Sequence, residues 1–156
     1  MKAAILVFII CVMQFVSYAQ RIETKPAIAA LIENQRFEFV AESANPMRGR
    51  TIFLSTGYNV IVTGDSLQSF LPYYGRAYQA TLDPDEAGIK FTSTNYEYEV
   101  REKRKGWEIS MKPNDVTLPP RFTISVTKTG TATLHAILAD RQSISFSRYL
   151  KQIGKK

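Results

Sequence analysis

The sequence predicts a mainly β domain, an antiparallel meander forming a barrel-like or sandwich sheet, with one short N-terminal α-helix. Three observations carry this. In the last third, Trp107, Ile109 and Met111, then Phe122, Ile124 and Val126, then Ala132, Leu134 and Ala136 alternate with polar residues, as in a sheet wetted on one face. Small turns, among them Thr56-Gly57, Gly64-Asp65 and Lys128-Thr129-Gly130, separate these short runs. Only one stretch, Pro26 to Asn34, spaces its apolar residues as a helix does.

The chain opens on a segment read as outside the fold. Met1-Lys2 supplies a positive charge, Ala3 to Val16 is almost wholly apolar, and Ser17-Tyr18-Ala19 puts small residues where a signal peptidase reads them. Residues 1–19 are thus expected to be a signal peptide cleaved before Gln20. The apolar run is shorter than the roughly 20 residues that span a bilayer, so no transmembrane span is expected after cleavage. Residues 20–150 are expected to form a single β-rich domain and 151–156 a basic tail. Cys11, the only cysteine, leaves with the signal, which removes disulfides, thiol nucleophiles and cysteine-bound metals together. Losing Lys2 from 20 Lys+Arg leaves 19 against 14 Asp+Glu, a modest basic excess.

In the predicted helix, Pro26 suits the first turn, and Ala27, Ile28, Leu31 and Ile32 share a face that must dock on the sheet. Phe37 and Phe39 then begin a strand, followed by a loop over Asn45-Pro46-Met47-Arg48-Gly49-Arg50. Thr51 to Ser55, Tyr58 to Val62 and Ser66 to Phe70 read as further strands. The stretch Ile89 to Arg101 reads as one long strand, but its apolar phase changes parity between Ile89/Phe91 and Tyr96/Tyr98/Val100. A bulge or bend is expected near Ser93 to Asn95. The cluster Arg101-Glu102-Lys103-Arg104-Lys105-Gly106 reads as a solvated hairpin tip, with no nucleic-acid motif around it. Ile144 and Phe146 open the last strand.

No constellation specifies a reaction. His135, the only histidine, falls on the wetter side of its strand and has no second histidine or cysteine for a metal site. The acidic stretch Asp83-Pro84-Asp85-Glu86-Ala87-Gly88 lacks the acid spacing of the helical calcium loop and reads as a turn. No cofactor and no metal are expected. The least strand-like stretch is Leu71-Pro72-Tyr73-Tyr74-Gly75-Arg76-Ala77-Tyr78. Its aromatic faces with a nearby arginine are what a peptide or sugar stacks on; the competing reading is that the tyrosines plug the end of a barrel or cross between sheets.

Five blocks carry a resemblance: Arg36-Phe37-Glu38-Phe39-Val40-Ala41, Asn45-Pro46-Met47-Arg48-Gly49, the Leu71-to-Tyr78 stretch, Gly88-Ile89-Lys90-Phe91, and Arg141-Gln142-Ser143-Ile144-Ser145-Phe146. In this order they resemble the exported "domain of unknown function 4251" family of Bacteroides-type bacteria, from about the helix to Tyr149. The resemblance implies a single secreted or periplasmic domain with the order of elements above, and brings no activity with it. The ending Ser147-Arg148-Tyr149 departs slightly from the family's small-residue-then-Tyr pattern.

The expected function is therefore non-enzymatic binding in the cell envelope, with Tyr73, Tyr74, Arg76 and Tyr78, joined by Arg48, contacting an envelope protein, peptide or glycan. The alternatives are a hydrolase of envelope polymers, through paired acids or a serine beside His135, and a lipocalin-like carrier with a hollow barrel. The expected location is secreted, periplasmic.

Overall fold

The computed structural model describes residues 28–76 and 88–154. The helix α1 spans Ile28–Glu33, and ten strands follow: β1 (Phe37–Pro46), β2 (Ile52–Phe53), β3 (Asn59–Val62), β4 (Leu67–Leu71), β5 (Ile89–Ser93), β6 (Tyr96–Lys103), β7 (Gly106–Pro113), β8 (Arg121–Thr127), β9 (Thr131–Ile137) and β10 (Ile144–Lys151). They form one antiparallel sheet in the order β5-β4-β3-β1-β10-β9-β8-β7-β6, with β2 paired to β1. The sheet curls into a nearly closed barrel, so the sandwich arrangement is not the one adopted.

The closure follows from strand direction. Nine strands that alternate in direction leave both ends of the sheet, β5 and β6, running the same way. One continuous chain can then serve as both edges if it bends between them, as strands that switch sheets do. The bend lies at Thr94-Asn95, where the apolar phase changes parity. Asp115 fixes it by accepting hydrogen bonds from the Ser93 hydroxyl, from the Thr94 N–H at 2.9 Å and from the Asn95 N–H at 3.2 Å. Asn114 N–H donates to the Asn95 carbonyl at 2.8 Å.

Inward residues of every long strand build one core. Phe37, Phe39, Phe122 and Phe146 are fully buried, with Leu67, Leu71, Ile109, Met111, Ile124, Leu134 and Ile144 filling the space between them. Buried Ser69 is tolerated because its hydroxyl donates to the Ile89 carbonyl at 2.8 Å. The helix covers one end of the barrel. Its Leu31 and Ile32 are buried, Ile28 packs against the core, and the Tyr98 hydroxyl donates to the Ile32 carbonyl at 2.9 Å. Burial pushes the Tyr98 phenol well above its ordinary range, so this donor keeps its proton.

Several boundaries differ from the sequence reading: β1 runs on through Asn45 and Pro46 of the expected loop, and β4 spans Leu67–Leu71 rather than Ser66 to Phe70. The strand expected over Thr51 to Ser55 shrinks to Ile52–Phe53, which pairs with Ala44 and Ser43 of β1, and Leu54 N–H adds a hydrogen bond to the Glu42 carbonyl at 2.9 Å. Lys151, which the sequence reading placed in the tail, closes β10 opposite Glu38, with an ion pair of 3.3 Å.

Candidate functional site

The loops opposite the helix gather at one rim. Pro46 at the end of β1 pairs with Ile144 at the start of β10, and Ile137 at the end of β9 pairs with Arg121 at the start of β8. Tyr73 lies in this rim, half-buried, its hydroxyl within donating distance of the carbonyls of Gln142 at 2.9 Å and Arg76 at 3.1 Å. Gln142 N–H donates to the same Arg76 carbonyl at 3.1 Å. The Arg141 guanidinium lies 5.1 Å from the centre of the Tyr73 ring and pairs with Asp140 at 2.7 Å. Arg141's hydrogen bond holds the Asp140 carboxyl below the usual carboxylate range. Two of the sequence blocks singled out above, 71–78 and 141–146, thus meet through space.

The residues predicted to bind are divided by this arrangement. Tyr73 fastens the rim rather than offering a free face, and Tyr74 is half-buried against the core. Arg76 is exposed. Arg48 is exposed in the β1–β2 loop, whose ends are tied by the Thr51 hydroxyl donating to Asn45 Oδ1 at 2.7 Å. Tyr78 and the acidic stretch from Asp83 to Ala87 lie outside the described residues.

A second feature escaped the sequence reading. Phe53 is 87 % exposed, the most exposed large apolar side chain among the described residues. It sits on β2 opposite Ser43, and that row continues across the outer face through Ser147 of β10 to Thr133 of β9. Phe53, Tyr149 and the hydroxyls of Ser43, Ser147, Thr131 and Thr133 line a groove of about 440 Å³. Glu42 and Arg148 border it, joined at 3.1 Å, and Arg148 lies 5.4 Å from the centre of the Tyr149 ring. One sign was available in the sequence: Ile52-Phe53-Leu54 places three apolar residues in a row, and a two-faced strand must turn one of them outward.

His135 is exposed, and its Nδ1 lies 2.8 Å from the Ser145 hydroxyl across the β9–β10 pair. Among the described residues no carboxylate hydrogen-bonds the imidazole. The pair lies in mid-sheet, where neighbouring backbone N–H groups are engaged in the ladder and do not form an oxyanion site. A second outer groove, about 410 Å³, is lined by Glu97, Glu99, Arg101, Lys112 and Arg121. Its carboxylates are matched by cations, Glu99 to Arg101 at 3.6 Å and Glu97 to Lys112 at 3.9 Å. Among the described residues, no three His, Cys, Asp or Glu side chains gather into a metal-sized group, and no helix is long and apolar enough to cross a membrane.

Fold and surface together define a class: a small antiparallel β domain curled toward a barrel, plugged by a helix, with its grooves on the outside. The chain belongs to the family described as Domain of unknown function (DUF4251), whose model matches residues 19–150. No match was found among curated proteins.

Proposed function

We propose that the protein is an exported, non-enzymatic binding domain of the cell envelope that holds an envelope protein, peptide or glycan on its outer face, at the Phe53 groove. The observation that carries this is Phe53 itself, 87 % exposed on a two-residue strand beside a groove rich in hydroxyls. Burying such a side chain stabilises by about 1.5–3 kcal/mol, a gain left unclaimed in the free chain and open to a partner. The aromatic ring, the hydroxyl row and the Glu42–Arg148 pair combine a stacking face with polar groups that fix orientation. Export rests on the leader-like residues 1–19. Arg48 and Arg76 on the rim are a second region where a large partner would be felt.

The alternatives draw less support. A lipocalin-like carrier needs interior space, and large side chains of the core occupy the barrel. A hydrolase has the Ser145–His135 contact in its favour, but among the described residues no acid hydrogen-bonds the histidine and no oxyanion site lies beside it. Ser145→Ala separates the two readings, since a binding domain keeps its ligand and a serine hydrolase loses turnover.

The test is retention of residues 20–156 on immobilised envelope polysaccharides, peptidoglycan fragments and envelope peptides, for wild type and Phe53→Ala. The proposal expects retention by wild type, at least tenfold weaker in Phe53→Ala with unchanged melting temperature. Equal retention by both removes the Phe53 groove as the site. Export is tested separately by N-terminal sequencing of the protein recovered from the periplasm, which is expected to start at Gln20.

A further inference from the structure

Of the two edge strands among the described residues, β5 with five residues and β6 with eight, β6 offers the longer edge. Among the described residues β6 pairs with β7 alone, and all eight of its residues have an unpaired side. From Glu99 to Lys103 every side chain is exposed, including Val100 at 41 %. A long exposed edge is a template for adding another strand, and natural proteins commonly guard against this with charge. Guarding against a second copy requires like charges to meet. The order of charges in β6 does the reverse.

Two copies of one strand pairing antiparallel about a two-fold axis must centre the axis on a residue, so that facing side chains share a face. Centred on Val100, Glu99 faces Arg101 of the second copy, Glu97 faces Lys103, and Val100 faces itself. Each charged pair occurs twice, giving four opposite-charge contacts around an apolar centre. Shifting the axis by one residue either way sets Glu99 against Glu99 or Arg101 against Arg101. Cross-strand opposite charges stabilise and like charges destabilise, so the charge pattern selects the Val100-centred register. Within one chain these side chains form exposed ion pairs, Glu99–Arg101 at 3.6 Å, Lys103–Glu108 at 3.5 Å and Glu97–Lys112 at 3.9 Å, which the second copy would have to outcompete or share.

We propose that β6 is a self-association edge through which two copies of the chain pair antiparallel about Val100, extending the sheet as β7-β6-β6-β7 across the two molecules. The inference is independent of the Phe53 groove, which lies on β1, β2, β9 and β10 in the middle of the sheet order.

Residues 20–156 hold every described element and no cysteine, so single cysteines read the register directly. Facing Cα atoms in an antiparallel pair lie roughly 4.5–5.5 Å apart, within disulfide reach. Val100→Cys is expected to give a covalent dimer under mild oxidation, with Glu99→Cys and Arg101→Cys remaining monomeric. In sedimentation, wild type is expected to pass from one chain to two as concentration rises, more weakly at high salt. Glu99→Arg is expected to weaken the dimer about tenfold or more, and Glu99→Arg with Arg101→Glu to restore it. A wild type that stays monomeric throughout, preferential crosslinking of Glu99→Cys or Arg101→Cys, or a double variant no better than Glu99→Arg would each overturn the proposal. Melting temperatures equal to wild type establish that each variant is folded.

Discussion

Tyr73 separates architecture from recognition at the rim, and the two roles respond differently to small changes. Tyr73→Phe keeps the ring and removes one hydroxyl. That hydroxyl has a single hydrogen to share between the Gln142 and Arg76 carbonyls, at 2.9 and 3.1 Å, so one hydrogen bond is lost at a time. A net loss of about 1 kcal/mol is expected. At this size that corresponds to a fall of about 4 °C in melting temperature. Tyr73→Ala also removes the half-buried ring and the surface under Arg141, so a loss of about 3 kcal/mol is expected. The assay is thermal unfolding by circular dichroism, with urea unfolding to check that the slope is unchanged. A Tyr73→Ala protein that melts with wild type would refute the architectural role and return the loop to the list of binding surfaces.

Two further substitutions probe the frame. A Cβ at Gly106 would collide with the Val126 carbonyl oxygen, a backbone atom that cannot step aside, so Gly106→Ala is expected to cost about 3 kcal/mol or more in urea unfolding. At the bend, hydrogen bonds from Ser93 first and then from the Thr94 N–H hold the Asp115 carboxyl below its ordinary 3.8. A depressed carboxyl stabilises the fold fully above its unfolded value and progressively less as pH falls through its folded value. Asp115→Asn is therefore expected to lower the melting temperature at pH 6 and to shrink its fall between pH 5 and pH 2; an unchanged pH profile would contradict this.

The legibility of the fold varied with the distance over which information had to travel. In β8 and β9 strict alternation is local, and each inward residue read from the sequence is buried. The sheet-switching bend was also legible, because a parity change within Ile89 to Val100 leaves a strand no other way to bury both halves. The pairing of β1 with β10 was not, since nothing local links residues 37–46 to 144–151. The same holds for Tyr73, whose role depends on Gln142, 69 residues away. Its aromatic-rich surroundings fitted both a recognition loop and a barrel plug. Phe53 was obscured because a two-residue strand has too little alternation to read, and its face is set by its pairing opposite Ser43.

The proposed recognition surface is the outer face at Phe53, with Tyr73 holding the rim in place. The most direct measurement compares wild type, Phe53→Ala and Tyr73→Phe for retention on immobilised envelope polysaccharide and peptide, at a temperature where all three are folded. At least a tenfold loss is expected for Phe53→Ala at unchanged stability, with wild-type retention for Tyr73→Phe despite its lower melting temperature. Undiminished retention by Phe53→Ala, or a loss confined to Tyr73→Phe, would contradict it.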